Sequence, residues 1–112
     1  MLDAYGSACA VTSEHALPVL EAGHIRPWHL GGPHEVSNGL PLRRDLHRLF
    51  DLGFVTVDER LGLEVSPALM DDYANGRVYY EMAGQPLHTP SDPAAKPNPE
   101  HLAWHREEVF RA

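Results

Sequence analysis

Residues 21–51, EAGHIRPWHLGGPHEVSNGLPLRRDLHRLFD, decide how the rest of this chain is arranged. Leading into and through the start of the stretch, Pro18, Val19, Leu20, Ala22 and Ile25 make an apolar run of strand length. Pro27 stops it, because proline has no N–H to give a sheet. Gly31, Gly32 and Pro33 then supply the chemistry of a turn. Gly39-Leu40-Pro41-Leu42 reads as a short second strand. Residues 43–51, RRDLHRLFD, read as a helix with Leu46, Leu49 and Phe50 at i, i+3 and i+4 on one face. Gly53 is placed to end it. The order is strand, loop, strand, helix.

A hairpin packed on a helix brings the end of its first strand near the helix's first turns. His24 closes the first apolar run, Asn38 follows fourteen positions on, and His47 nine beyond that. His24 would face His47 across a gap that admits a metal ion and a phosphate. Asp51 lies four residues after His47, so both side chains leave the helix on one side and can share a cation. An imidazole titrates near neutrality, so His24 can take a proton from water. A metal beside it can polarise a phosphoryl oxygen and stabilise the leaving oxygen. Together these parts suffice for phosphodiester hydrolysis. Singly, each has a plainer reading: a satisfied core histidine, an Asn-Gly turn, an aspartate paired with Arg48. The joint spacing favours the chemical one.

The pattern resembles the HNH endonucleases of the ββα-metal (His-Me finger) fold. The resemblance rests on His24-Ile25-Arg26-Pro27, the Gly31-Gly32 loop, Asn38-Gly39-Leu40 and Leu46-His47-Arg48-Leu49-Phe50-Asp51, with both spacings those of the family. Cys9-Ala-Val-Thr12, Leu20-Glu-Ala-Gly-His-Ile25 and the tail Leu102-Ala-Trp-His-Arg-Glu-Glu-Val-Phe110 are similar to a branch found at the C-terminus of bacterial restriction-type proteins. The resemblance implies His24 as the general base that activates water. It implies His47 as a metal ligand, with Asn38 holding the loop in register and either orienting or ligating. Asp51 matches the place where some members carry a second histidine ligand. Many members have an acidic residue or histidine just before the first histidine; here Gly23 stands there, and Glu21, on the same strand face, is a further candidate ligand. Members with a structural zinc use two Cys-x-x-Cys pairs. This chain has only Cys9, with Arg43 and Leu46 where the second pair would be, so a four-cysteine zinc is excluded.

The net charge of −7 is the wrong sign for a protein that grips DNA unaided. Between Arg26 and Arg48, however, four arginines (26, 43, 44, 48) oppose Glu35 and Asp45, giving a local +2 and leaving −9 elsewhere. Arg43, Arg44 and Arg48 are therefore the candidate phosphate contacts. The acidic remainder implies that DNA affinity comes from a separate recognition domain, and a double-strand break would need a second copy of the site. His29 and His34 lie in the loop near the expected phosphate path. His15, His88, His101 and His105 carry no functional reading, and Trp104, Tyr79 and Tyr80 read as core.

At 112 residues the chain is long enough for one domain: a ββα core over about 18–53, then an accessory hairpin, a proline-rich strap and a C-terminal helix over 54–112. Residues 1–5 look like the last turn of a helix ended by Gly6, which suits a fragment of a larger protein. Residues 9–12 read as extended, 54–58 and 61–66 as a hairpin, and 67–73 as a helix with Ser66 at its N-cap. Residues 78–82 read as a strand, 88–99 as a strap with four prolines, and Pro99 onward as a helix capped by Asn98 with Leu102, Ala103, Val109 and Phe110 as its stripe. No apolar run approaches a membrane span, no signal peptide is visible and the lone cysteine suits a reducing cytoplasm.

The expected fold is therefore α+β with a ββα-metal core, an added hairpin and peripheral helices. The expected function is hydrolysis of DNA phosphodiesters with one divalent cation, Mg²⁺ or Mn²⁺, with Ni²⁺, Co²⁺ or Zn²⁺ also suited to an imidazole ligand. Two rivals stand beside it: a degenerate HNH module that binds metal or DNA without cutting, and a nuclease acting on RNA or single strands.

Overall fold

The computed structural model describes residues 2–112. Strand β1 (Leu20–His24) pairs antiparallel with β2 (Gly39–Arg43), Leu20 opposite Arg43 and His24 opposite Gly39. The strand starts later than the apolar run suggests. Leu17–Val19 instead forms a 3₁₀ turn with Pro18 in it, which suits proline's fixed φ and missing donor. Pro41 is tolerated in β2 because both strands of a two-stranded sheet are edges. Helix α1 (Arg44–Leu52) follows β2 directly and packs on the hairpin, burying Leu46 and Phe50. Gly53 ends it at φ 86°, giving its N–H to the carbonyls of Leu49 and Phe50.

A second hairpin follows, β3 (Val55–Val57) with β4 (Leu63–Val65). Helix α2 (Ala68–Tyr73) begins where Ser66 Oγ accepts from Ala68 N at 3.1 Å, and ends at Ala74 in the left-handed region. Residues 78–82 are not a strand: α3 (Arg77–Tyr80) and the turn that follows it occupy them. The β4 edge they would need is taken by 84–87, through Leu63 N to Gln85 O, Gly84 N to Leu63 O and a Gly62–Pro86 bridge. The tyrosines gain separate anchors instead. Tyr79 Oη donates to Asp45 at 2.9 Å, and Tyr80 Oη donates to Ser66 O at 2.6 Å while accepting from Met70 N.

The proline-rich strap runs from the N-terminal turn to the first hairpin's loop, tied by His88 N to Ala10 O and Asn98 N to Ser37 O. Asn98 then caps α4 (Pro99–Glu108), accepting from Glu100 N at 2.9 Å. The helix lies on β3 but not by the expected stripe. Val109 and Phe110 fall beyond its end, and His105 joins Leu102 as its second buried residue.

Residues 9–12 form a turn rather than an extended piece, closed by Ser13 N to Cys9 O at 3.0 Å. Cys9 is fully buried, and its Sγ accepts from Thr12 N and Arg43 N. One cluster of buried side chains, including Cys9, Leu40, Leu46, Phe50, Val57 and Leu102, joins the N-terminal turn, both hairpins, α1 and α4. Asp3–Tyr5 makes a 3₁₀ turn ended by Gly6, as the sequence suggests, while Met1 lies outside the described residues. Among the described residues no helix is long and apolar enough to cross a membrane.

Candidate active site

The loop between β1 and β2 is wound around Asn38. Its side chain is fully buried: Oδ1 accepts from Arg26 N, and Nδ2 donates to the carbonyls of Arg26 and Pro33, each at 2.9 Å. Gly32 makes this closeness workable, since a Cβ there would sit 1.7 Å from Arg26 O and 2.9 Å from Asn38 Nδ2. Arg26 is also spent inside the loop, donating Nε to Leu30 O and lying over the Trp104 ring. The loop fixes the strand end that carries His24. Asn38 does this as a brace, shut away from solvent.

His47 lies on the α1 face turned to β1, with its ring directly over Gly23. A Cβ at Gly23 would come within 2.8 Å of His47 Nε2 and Cδ2. Gly23 is thus the opening that admits the ring. Glu21 stands at the ring's other nitrogen, with Oε1 2.9 Å from Nδ1. A carboxylate can only accept, so Nδ1 carries a proton, and when that is the ring's one proton Nε2 presents a lone pair. That lone pair meets Asp51 Oδ2 at 3.3 Å. Two electron-pair donors at this separation repel unless a proton or a cation lies between them. Burial pushes the Asp51 carboxyl above its usual range, His47 and Arg48 pull the other way, and Glu21 adds to the rise. A cation would relieve that strain. An imidazole oriented through its far nitrogen and converging on a carboxylate fits a divalent ion, with Glu21 behind the ligand rather than on the metal. Among the described residues no group of three or more His, Cys, Asp or Glu side chains converges on one point.

His24, His47 and Asp51 line one cleft of about 410 Å³, with Trp28, Trp104 and His105 among its other walls. His24 is exposed, and its Nε2 lies 3.3 Å from His34 Nδ1. The His34 ring in turn stacks on Trp28, centroids 4.8 Å apart and planes 19° apart. The residue numbers of His34 gave little notice of this, because only the loop's winding around Asn38 brings it back to the strand end.

The arginines divide. Arg43 is locked in a two-bonded ion pair with Asp45, at 2.7 and 2.9 Å, and Asp45 also takes Tyr79. Burial would raise the Asp45 carboxyl, but the hydrogen bonds from Arg43 and Tyr79 outweigh it and hold the group below its usual range. Arg43 therefore lacks a free guanidinium for phosphate. Arg44 is 69% exposed and lies 3.5 Å from Glu21. Arg48 is exposed, with no ion-pair partner among the described residues.

His105 backs the cleft from α4. It stacks face to face on Phe50 at 3.6 Å, with Nδ1 2.6 Å from Thr56 Oγ1 and Nε2 2.7 Å from Phe50 O. Burial pushes its pKa down to about 4, against the raising effect of the Phe50 carbonyl, and Arg106 adds to the fall.

Comparison with known proteins bears on the fold. No curated protein matches the chain significantly. A solved modification-dependent TagI restriction endonuclease superposes over 98% of this chain with a TM-score of 0.64 at 22% identity. The chain spans 36% of that protein's length. Residues 9–58 match the family described as HNH endonuclease. The chain thus has an HNH-type α+β fold, and the segment that holds His24, Asn38, His47 and Asp51 is the one that matches the HNH endonucleases.

Proposed function

We propose that this chain is the catalytic domain of a metal-dependent endonuclease that hydrolyses DNA phosphodiesters. The observation that carries the reading is the His47 ring: seated over Gly23, fixed at Nδ1 by Glu21 and turned at Nε2 toward Asp51, in the cleft that holds His24. His47 and Asp51 would hold one divalent ion, which when bound would supply Lewis-acid stabilisation of charge on the phosphate and the leaving oxygen. His24 takes a proton from water, the water oxygen attacks phosphorus, and the bond to the 3′-oxygen breaks, that oxygen leaving as an alkoxide that takes a proton from solvent. Asn38 keeps the His24 strand end and the loop in register. Arg44 and Arg48 steer the phosphates, while Arg43 serves the fold.

DNA as substrate draws support from the restriction endonuclease whose fold this chain shares. The chain's span of about a third of that protein and its −7 charge support a separate recognition domain, or a second copy where both strands are cut. Mn²⁺ should serve at least as well as Mg²⁺, because imidazole is a poor ligand for the latter. The rival reading, a module that binds metal without cutting, draws on the small ligand set.

Plasmid nicking in Mn²⁺, in Mg²⁺ and with EDTA separates the two. Nicking that needs metal and is lost in His24→Ala and His47→Ala supports the nuclease. Mn²⁺ binding by calorimetry with no nicking of DNA, and none of a matched RNA, refutes it.

A further inference from the structure

We infer that His34 is a positioning residue for His24, its Nδ1 accepting the His24 Nε2–H so that His24 Nδ1 is left as the free base. This rests on the reading of His24 as the general base. His34 is the one hydrogen-bond partner of the His24 ring among the described residues, Nε2 to Nδ1 at 3.3 Å, with the rings edge to face at 76°. Two neutral imidazoles bond only if one donates and the other accepts. Were His34 the donor, His24 would carry its proton on Nδ1 and commit its Nε2 lone pair to the bond. It could then take no proton from water without breaking that bond. With His24 donating, Nδ1 is free, and the imidazolium formed when it takes the proton keeps a charge-assisted bond to His34.

Trp28 is the second observation. It is 67% exposed, so core packing does not explain its place, yet it stacks on His34. It sits in a 3₁₀ turn, Trp28–Leu30, that starts after Pro27 and ends at Gly31 with φ 90°. The rigid turn holds the indole, the indole fixes the plane of His34, and His34 fixes His24. An exposed histidine at a strand end would otherwise sample its rotamers freely.

The test uses protein labelled with ¹⁵N-histidine, with long-range imidazole correlation spectra at about pH 8, above the ordinary imidazole range. His24→Ala assigns the signals. His34→Phe keeps a ring against Trp28 but has no acceptor, and His34→Gln restores one. Wild type should show His24 as a single Nε2–H tautomer with an exchange-protected proton. His34→Phe should lose that protection and mix the tautomers, and His34→Gln should recover it. In nicking assays with saturating Mn²⁺, kcat should fall roughly tenfold in His34→Phe with KM for DNA unchanged, and most of it should return in His34→Gln. A His24 protonated on Nδ1 in wild type, or one whose signals are the same in His34→Phe, overturns the inference. If the spectra behave as expected but wild type cuts neither DNA nor RNA, the positioning stands and the nuclease reading alone falls.

Discussion

Gly23→Ala should cripple the site while leaving the fold intact. The added Cβ would lie 2.8 Å from both Nε2 and Cδ2 of His47, whereas relaxed contacts of this kind fall at about 3.5 Å or more. The ring must therefore withdraw by roughly 0.7 Å. His47 is held at 2.9 Å by Glu21 on one side and faces Asp51 at 3.3 Å on the other, so withdrawal breaks the first contact or spoils the second. A displacement of about 1 Å in a reacting array costs on the order of 100-fold, so nicking should slow by roughly 10- to 100-fold and Mn²⁺ affinity should fall with it. Stability should hardly change. Alanine in a strand interior gains about 0.5–1 kcal/mol over glycine, which offsets the strain of a ring that can swing toward solvent. Urea unfolding, calorimetric Mn²⁺ titration and plasmid nicking on one preparation separate these effects. A Gly23→Ala protein with wild-type metal affinity and nicking rate would refute the claim that the site depends on where this ring sits.

His105 gives the fold a pH dependence of definite sign. Its folded pKa of about 4 lies below the ordinary 6.5, so between those values the unfolded chain takes up a proton that the folded one refuses. Stability should fall by about 3 kcal/mol as pH drops from about 6.5 to about 4, and this contribution should be flat below that; urea midpoints for wild type and His105→Gln would show whether the slope belongs to this residue. Asn38→Ala removes three hydrogen bonds and leaves three part-buried backbone groups, Arg26 N, Arg26 O and Pro33 O, without that partner, so it should destabilise by roughly 2–4 kcal/mol in urea unfolding. Glu21→Gln leaves an acceptor for His47 but withdraws its charge, and Mn²⁺ affinity should drop about tenfold by calorimetry. Duplex DNA binding by the isolated chain should be weak at physiological salt. Replacing Arg44 and Arg48 together by alanine should lower the slope of log affinity against log salt by about 2, measured by fluorescence anisotropy.

What the sequence disclosed and what it hid divide by range. Helix α1 was legible because its buried face, its left-handed Gly53 and its sharp start after Pro41-Leu42 are all local. The joint placing of His24, His47 and Asp51 was legible too, since a short hairpin leading straight into a helix leaves the backbone few routes between them. Residues 78–82 misled because their alternation and aromatic content are those of a strand, and nothing local reveals that 84–87 already hold the β4 edge. His105 gave no signal, for its burial depends on Phe50 and Thr56, roughly fifty residues earlier in the chain. Gly23 is the instructive case. By residue type it marks a missing ligand, and by position it marks a deficient site. Its meaning appears only once the opposing helix is in place, because the lost side chain leaves the volume that His47 fills. The acidic group that glycine lacks is supplied two residues earlier by Glu21, from the same face of the strand, and it acts on the imidazole rather than beside it. Were an ion held by His47 and Asp51, as proposed, the Glu21 carboxylate would stand behind the imidazole and keep its negative charge near the site.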